Sequence, residues 1–367
     1  MVKLFFVIGT RPEAIKVCPI IKSLQNNPHF GVTVCLSGQH REMLNSVLEV
    51  FEVEPKYNLD IMKKEQTLTS MTVCILQRID AILADEKPDL VLVHGDTTTS
   101  YTAALAAFNR HIQVAHIEAG LRTFNLHSPF PEEFNRRSID LVSDIYFAPT
   151  ENSKKNLLKE GISASKIFVT GNTVIDALSS TVTDSFSHDA LDWCGDNRII
   201  LMTAHRRENI GSPMKAMFTA IRKLADDYTD VRIIYPIHLN PKVREIAEPI
   251  LSGHDRIRLI EPLDVIEFHN IMSRCFMILT DSGGIQEEAP ALGKPVLVMR
   301  DTTERPEGVR AGTLKLVGTS TDNIYDKAKE LLDNSVQYEK MSKAENPYGD
   351  GHASERIINA IAKIFGV

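Results

Sequence analysis

The chain has 367 residues, 43% of them hydrophobic and 24% charged, and its formal net charge is −7. The length favours two domains, the composition is typical of a soluble globular protein, and the negative balance argues against general nucleic-acid binding. No segment approaches the roughly 20 apolar residues of a membrane span, and the first apolar run, VKLFFVIGT, is too short for a signal peptide. Five cysteines without disulfide or metal-ligand spacing complete the expectation of a cytoplasmic protein with no metal and no membrane partner.

Short apolar runs rich in β-branched residues alternate with amphipathic stretches along the chain. The predicted strands of the first half are LFFVIG, VTVCLS, LVLVHG, VAHIEA, IYFAPT and IFVTG. Those of the second half are RIILMTA, VRIIYPI, IRLIEP, FMILTD, PVLVMR and LKLVG. Helical patterns cover residues 14–24, 69–84, 99–107, 153–159, 213–226, 285–292 and 353–365. Continuous apolar runs are typical of strands buried on both faces, so the pattern predicts parallel sheets covered by helices.

The strand–helix pattern occurs in two sets, separated by a segment rich in Ser, Thr and Asp at residues 179–197. This arrangement predicts an α/β fold of two Rossmann-like, doubly wound domains that face a cleft. The predicted N-terminal domain, with the acids described below, covers residues 1–175, and the C-terminal, nucleotide-binding domain covers 176–350. Residues 351–367 begin at the last glycine of the break NPYGDG and contain a terminal helix expected to pack back toward the N-terminal domain.

The loop after the first predicted strand reads GTRPEAIK and favours an anion rather than a dinucleotide. Pro12 suits the first turn of a helix, so Arg11 and Lys16 would add fixed cations to the positive end of that helix. A capped helix with solvated charges is the plain alternative. The loop has one glycine, and the second strand ends in Gly-Gln-His instead of an acid that could hold a ribose diol. We therefore expect no dinucleotide cofactor.

A second anion-binding loop is predicted in TDSGGIQEEAPALGKP. Gly283 and Gly284 allow a ligand to approach the backbone, and Ser282 can contact phosphate oxygens. Glu288 lies one helical turn beyond Gly284, where its carboxylate could hold two ribose hydroxyls. An N-capped helix with a surface acid is the alternative. Together, the two loops predict binding of a nucleotide diphosphate attached to another group.

Acidic residues follow several predicted strands. Asp96 in HGDTTTS and Glu118 in HIEAGLRT each follow a strand, and Glu132 lies in the proline-rich segment SPFPEE. His205 and Arg206 follow a strand of the second half, in TAHRREN. Any one of the acids could be a helix cap or a salt-bridge partner. Carboxylates and a histidine that converge from different strands are what proton transfer requires, and cations could balance a departing diphosphate.

Read together, GTRPEAIK, SGQHREML, HGDT, HIEAGLRT, SPFPEE, AHRREN and TDSGGIQEEAP closely resemble the bacterial non-hydrolysing UDP-N-acetylglucosamine 2-epimerases. The likeness runs from near Val2 through GKPVLVMRDTTERPEG. It implies a GT-B-type fold, a homodimer and no cofactor. It also implies conversion of UDP-N-acetylglucosamine to UDP-N-acetylmannosamine for surface polysaccharide synthesis, by elimination of UDP to a 2-acetamidoglucal and re-addition.

The resemblance also implies roles for individual residues. It assigns catalysis to four side chains: Asp96, Glu118, Glu132 and His205. It assigns UDP-sugar binding to Arg11, Lys16, Arg206, Ser282, Gly283, Gly284, Glu288 and Arg305. A second UDP-N-acetylglucosamine could act as an activator at a site formed by Gln39, His40, Arg207 and His238. At that site some members have an arginine before QTL, whereas this chain has Glu65, which would weaken contact with an anionic effector.

Four other functions fit parts of the sequence. A hydrolysing 2-epimerase would release N-acetylmannosamine and UDP, and a related 2-epimerase would act on a UDP-diacetamido uronic sugar. A glycosyltransferase of the same fold would require an acceptor. A nucleotide-sugar binding module would lack catalysis altogether.

Overall fold

The structure is a computed structural model that describes residues 1–38, 41–62, 66–303 and 305–367, with the backbone alone for 41–43. The chain divides into two compact units. The first comprises Met1–Ser180 and Gly349–Val367, and the second comprises Thr181–Tyr348.

The first unit is built on a seven-stranded parallel sheet. Its strands are β1 (Val2–Ile8), β2 (Phe30–Leu36), β3 (Tyr57–Asn58), β4 (Leu90–His94), β5 (Gln113–Ile117), β6 (Ile145–Ala148) and β7 (Ile167–Val169). They lie in the order β3-β2-β1-β4-β5-β6-β7. The strand order reverses direction between β1 and β4. In open α/β sheets, ligands bind at such a switch point, beyond the carboxyl ends of the strands.

Helices cover both faces of the first sheet. They are α1 (Arg11–Leu24), α2 (Arg41–Val50), α3 (Leu68–Glu86), α4 (Thr98–Asn109), α5 (Glu132–Val142), α6 (Glu151–Lys159), α7 (Thr173–Thr181) and, at the end of the chain, α16 (Ala353–Phe365). Asp176 of α7 accepts hydrogen bonds from the backbone N–H groups of Ala353 (3.2 Å) and Ser354 (2.7 Å), and α16 packs against α1. These contacts hold the C-terminal helix to the first unit.

The second unit contains a six-stranded parallel sheet in the order β10-β9-β8-β11-β12-β13. Its strands are β8 (Arg198–Thr203), β9 (Val231–Pro236), β10 (Ile257–Ile260), β11 (Met277–Thr280), β12 (Val296–Val298) and β13 (Leu314–Leu316). Its helices are α8 (Asp189–Cys194), α9 (Ser212–Asp227), α10 (Pro241–Leu251), α11 (Val265–Arg274), α12 (Ile285–Ala291), α13 (Pro306–Ala311), α14 (Thr321–Asp333) and α15 (Ser335–Ser342). The switch point here lies between β8 and β11.

The predicted fold class of two doubly wound α/β units is confirmed. All twelve predicted strands form, and every residue of β4, β6 and β11 is buried, which explains why these strands are continuously apolar. Strand β3 was not predicted because its two residues carry no periodic pattern. Among the described residues, no helix is both long and apolar enough to cross a membrane. The five cysteines are free thiols.

Candidate active site

Three loops meet at the switch point of the first sheet, and they carry four of the predicted residues. Arg11 and Lys16 belong to the first turns of α1, after β1. Asp96 follows β4, and Glu118 follows β5 directly. Because parallel strands end at the same edge of a sheet, these polar side chains are gathered at the carboxyl ends of β1, β4 and β5.

Glu118 has an unusual backbone and a crowded carboxylate. Its φ is +70°, a left-handed conformation that residues with a side chain adopt at a cost, and that is often retained at functional sites. Oε1 of Glu118 forms an ion pair with Nζ of Lys16 and accepts a hydrogen bond from Asn172 Nδ2 at 3.3 Å. Oε2 lies 4.0 Å from Nε2 of His94. The acid and the cation predicted from different motifs are therefore in direct contact.

Asp96 is held by the first turns of α5. Its Oδ2 accepts hydrogen bonds from Nε (2.9 Å) and Nη2 of Arg136, and its backbone carbonyl accepts one from Asn135 Nδ2 at 2.9 Å. Glu132 is the first residue of the same helix and is half-buried. The loop of Asp96 and the helix of Glu132 are thus tied together, although the two acids are 36 positions apart in the chain.

The segment before α5 is fixed by the neighbouring acid, Glu133. Its buried carboxylate accepts hydrogen bonds from the backbone N–H groups of Thr123 and Phe124, both at 3.0 Å, and from Arg136 Nη1 at 3.2 Å. The peptide bonds before Pro129 and Pro131 are both cis. Glu133 therefore supports the loop that leads to Glu132.

A buried ion-pair network supports the residues after β5. Asp140 accepts hydrogen bonds from His116 Nδ1 and Arg122 Nη2, both at 2.6 Å, and His116 Nε2 donates to the carbonyl of Gly95 at 2.7 Å. Burial opposes ionisation of Asp140, but His116 and Arg122 outweigh it, so the pKa of Asp140 lies below its ordinary value. This network joins the end of β5 to the glycine that precedes Asp96.

Glu13 joins the loop after β1 to the loop after β4. Its side chain is 3% exposed. Oε2 accepts hydrogen bonds from the N–H groups of Gly9 (3.0 Å) and Thr10 (2.6 Å) and from the Thr10 hydroxyl (2.8 Å). Oε1 accepts from the hydroxyls of Thr97 and Ser100, both at 2.7 Å. Burial, the largest effect, raises the pKa of Glu13 despite these hydrogen bonds.

The close approach of these loops requires a glycine at position 9. A Cβ there would lie 2.5 Å from Oγ1 of Thr99, in the first turn of α4. No side chain therefore fits between the two loops, and Gly9 allows Glu13 to reach both.

His94, the last residue of β4, is buried with no hydrogen-bond partner. Its side chain is 3% exposed, and within the described part of the chain neither ring nitrogen has a partner. Burial lowers the pKa of His94 to about 3, against the opposing effect of Glu118, so the ring is neutral at pH 7.

In the second unit, Asp281 joins the loops after β8 and β11. Its side chain is fully buried. Its Oδ2 accepts hydrogen bonds from the backbone N–H groups of His205 (3.0 Å) and Arg206 (2.9 Å) and from Asn209 Nδ2 (3.2 Å). Its Oδ1 lies 3.1 Å from the same His205 nitrogen. The predicted residues His205 and Arg206 are thereby anchored beside the loop that carries Ser282.

The His205 ring lies at the surface of this loop. Its side chain is 39% exposed, Nε2 is 3.9 Å from Asp281 Oδ1, and the ring stacks on His238 with centroids 5.5 Å apart. Partial burial, assisted by His238 and Arg206, lowers the pKa of His205 below its ordinary value, although Asp281 opposes this shift. At neutral pH the ring is therefore mainly neutral and can accept a proton.

The loop of Ser282, Gly283 and Gly284 lies beside a guanidinium. Neither glycine has a positive φ, but a Cβ on Gly283 would lie 3.5 Å from Arg206 Nη2. The missing side chain therefore leaves room for an anion next to Arg206. Glu288, in the first turn of α12, has Oε2 3.6 Å from Nε2 of the buried His269.

Arg305 is oriented by a buried acid, Glu287. Nε of Arg305 donates to Glu287 Oε1 at 2.6 Å, and its backbone carbonyl accepts a hydrogen bond from the Tyr348 hydroxyl at 3.1 Å.

Of the predicted activator residues, Arg207 and His238 are both exposed. The contact between His238 and His205 brings a predicted activator residue next to a predicted catalytic one. Gln39, His40 and Glu65 lie outside the described residues.

Sequence patterns did not identify four residues that hold these loops, namely Glu13, Arg136, Asn172 and Asp281, or the buried His94. Glu13 lies three residues after Thr10 and matches the capping-box spacing, which was the only available signal. As for metals, no group of three or more His, Cys, Asp or Glu side chains among the described residues could hold an ion.

The family model described as UDP-N-acetylglucosamine 2-epimerase matches residues 22–362. The UDP-N-acetylglucosamine 2-epimerase of Bacillus subtilis (strain 168) is 55% identical over 364 residues, covering 99% of this chain and 96% of that protein. A Listeria monocytogenes crystal structure is 52% identical with a TM-score of 0.96, covering 100% of this chain and 97% of that one. The Neisseria meningitidis UDP-GlcNAc 2-epimerase bound to UDP-GlcNAc is 49% identical with a TM-score of 0.88, covering 98% of this chain and 100% of that one. The predicted resemblance is confirmed, and the chain belongs to the UDP-N-acetylglucosamine 2-epimerase family.

Proposed function

We propose that the chain interconverts UDP-N-acetylglucosamine and UDP-N-acetylmannosamine by inverting C2, as a step toward surface polysaccharide precursors. The observation that carries this proposal is the cluster at the first switch point, where Glu118 contacts Lys16 and Asp96 is tied to the helix that begins with Glu132. Removal and return of one ring hydrogen require acids near a group that can balance the leaving diphosphate.

In the proposed reaction, one carboxylate takes the proton from C2 as the bond between C1 and the diphosphate oxygen breaks. The electron pair of the C2–H bond forms the C1–C2 double bond of 2-acetamidoglucal, and UDP carries away the electrons of the broken C1–O bond. A second acid then protonates C2 on the opposite face, and UDP adds back to C1. The two proton transfers are assigned to Asp96, Glu118 and Glu132, and His205 is assigned as a further catalytic group.

The nucleotide is assigned to the cationic loops. Four cations are proposed to contact the diphosphate, namely Arg11, Lys16, Arg206 and Arg305. The backbone of Ser282, Gly283 and Gly284 would contact phosphate oxygens, and Glu288 would accept hydrogen bonds from the ribose hydroxyls. The Neisseria relative, which was solved with UDP-GlcNAc bound, supports a nucleotide sugar as the ligand.

A second UDP-N-acetylglucosamine is proposed as an activator at Gln39, His40, Arg207 and His238. The stacking of His238 on His205 supports this role, because a ligand that moved one ring would also move the other. Glu65 would weaken the contact of this site with an anionic effector.

We also propose that the chain forms a homodimer in the cytoplasm. Helices α3, α4 and α5 of the first unit expose large apolar side chains that a second copy would cover, namely Val73 (48% exposed), Phe108 (53%) and Leu141 (83%). Sedimentation at several protein concentrations tests this: a single species of monomer mass throughout would contradict the dimer.

The function is tested by incubating the purified chain with UDP-N-acetylglucosamine in heavy water and following C2 by NMR. Deuterium at C2 in both intact UDP-sugars supports the proposal. Free N-acetylmannosamine with UDP would instead identify a hydrolysing epimerase, and a diacetamido uronic substrate would identify the related 2-epimerase. If C2 stays unlabelled under conditions where UDP demonstrably binds, the chain is a nucleotide-sugar binding module without catalysis.

A further inference from the structure

His94 is a buried polar side chain that the proposed reaction does not use. Neither of its ring nitrogens has a hydrogen-bond partner within the described residues, and its side chain is 3% exposed. Buried polar groups in folded proteins are nearly always paired, because an unpaired one has lost its water without a replacement. An imidazole left unpaired at the end of a strand, beside proposed catalytic groups, calls for a functional explanation.

The nearest polar group gives that explanation. Nε2 of His94 lies 4.0 Å from Oε2 of Glu118, about 1 Å beyond hydrogen-bond distance. The other oxygen of Glu118 is held by Lys16 and by Asn172. The carboxylate is thus held firmly on its Oε1 side, and its Oε2 side faces an unpaired ring nitrogen.

Binding of the proposed diphosphate would change the contacts of the Glu118 carboxylate. Lys16 is assigned to the diphosphate, yet in the structure its ammonium pairs with Glu118. A phosphate group that attracts Lys16 would remove a positively charged partner from the carboxylate at the moment when that carboxylate must be correctly aimed. Asn172 would still donate to Oε1, and a hydrogen bond from His94 would then hold Oε2 as well.

We propose that His94 is a positioning residue for Glu118, donating a hydrogen bond from Nε2 to Oε2 when the diphosphate draws Lys16 away. This inference rests on the proposed function. A neutral imidazole suits the task because it keeps the carboxylate in place without adding a full positive charge, which would oppose acceptance of a proton from C2. His94 itself exchanges no proton with the sugar.

Two substitutions separate positioning from packing. His94→Phe keeps a ring of similar shape without a donor, and His94→Gln keeps a neutral donor without the ring. We expect turnover of His94→Phe to fall about 100-fold, as for a reacting group displaced by 1 Å, while its Kd for UDP and its Tm stay near those of the unaltered chain. The turnover of His94→Gln should be at least tenfold higher than that of His94→Phe. The exposed His29 gives the matched control, His29→Phe, with full turnover expected.

The outcomes are distinguishable. If the unaltered chain binds UDP but neither labels C2 nor epimerises, the proposed function fails, and this inference fails with it. If the unaltered chain is active and His94→Phe is equally active, only the role of His94 is overturned. Equal losses in the Phe and Gln variants would indicate packing and would also overturn it.

Nuclear magnetic resonance of the ¹⁵N-histidine-labelled chain tests the hydrogen bond directly. The Nε2 proton of His94, assigned from its absence in His94→Phe, should move downfield when UDP saturates the protein. In the Glu118→Gln variant the shift should be smaller, because a neutral amide is a weaker acceptor than a carboxylate. A resonance that stays in place at saturating UDP would overturn the proposed transfer from Lys16 to His94.

Discussion

Replacing Glu13 by alanine tests whether one buried carboxylate holds the loop after β1 to the loop of Asp96. The substitution would leave the buried N–H of Gly9 without its acceptor, at a cost of about 1–3 kcal/mol. The cavity left by the side chain adds about 1–2 kcal/mol. The hydroxyl of Ser100 can still donate to the carbonyl of His94, 2.7 Å away, and water can reach the half-exposed Thr10, so these groups add little. Part of this loss of stability is offset because the variant no longer buries a carboxylate, and burying one costs free energy.

The expected net change is a loss of about 2–4 kcal/mol in the local stability of the first unit. Hydrogen exchange followed by mass spectrometry measures it: amides in the first turns of α1 and α4 should exchange roughly 30- to 1000-fold faster. Trp193, the single tryptophan, belongs to the second unit, so its fluorescence in urea provides an internal control that should not change. Unchanged protection in α1 and α4 would refute the reasoning.

Glu13→Gln is the matched variant. Its amide oxygen can accept the three hydrogen bonds now made to Oε2, and its NH₂ group can donate to Ser100, whose own proton then goes to the carbonyl of His94. We expect protection near that of the unaltered chain at neutral pH. The raised pKa of Glu13 means that the folded state binds its proton more tightly than the unfolded state. Stability contributed by this group therefore falls as pH rises from about 4.5 toward the folded pKa, and Glu13→Gln should lack that fall. A glutamine variant as damaged as the alanine variant would show that the carboxylate charge is required.

Four further predictions follow from the other contacts. Glu132→Gln should leave the Kd for UDP intact and lower epimerisation by about 100-fold or more, and full turnover would disprove its role. Asp281→Asn should lower the free energy of unfolding of the second unit by about 1–3 kcal/mol, which would appear as a lower urea midpoint of Trp193 fluorescence. An unchanged midpoint would show that the hydrogen bonds accepted by Asp281 do not stabilise this unit. His94 has a folded pKa of about 3, so protonation favours the unfolded state below about pH 6.5. At pH 5 the free energy of unfolding of the unaltered chain should have fallen by about 2 kcal/mol, and that of His94→Gln should lack this fall. Equal acid sensitivity of the two proteins would contradict this prediction. UDP-N-acetylmannosamine alone should be converted after a lag that added UDP-N-acetylglucosamine abolishes, and immediate full-rate conversion would rule out the activator.

The sequence predicted the strands and the loops after them because both depend on local patterns. Apolar runs identify strands buried on both faces, and polar motifs at their ends identify the edge of the sheet where Asp96 and Glu118 lie. The contacts between loops were not predictable in the same way. The bond from Ser100 to Glu13 joins positions 87 residues apart, and nothing in either motif specifies the other. The sequence indicated no role for His94, because its burial and its lack of a hydrogen-bond partner among the described residues are visible only in three dimensions.

The two units support their switch points by different chemistry, and the difference predicts opposite tolerance to amide substitution. Glu13 accepts partly from hydroxyls, which can rotate and reverse the direction of a hydrogen bond, so a glutamine NH₂ group can be accommodated. Asp281 accepts from the backbone N–H groups of His205 and Arg206, whose direction is fixed by the chain. An asparagine there would bring its NH₂ group about 3 Å from the His205 N–H, so that two donors face each other. The backbone of His205 would then shift, and with it the ring stacked on His238. In the second unit, the position of the predicted catalytic histidine thus depends on a carboxylate to which no proton transfer is assigned.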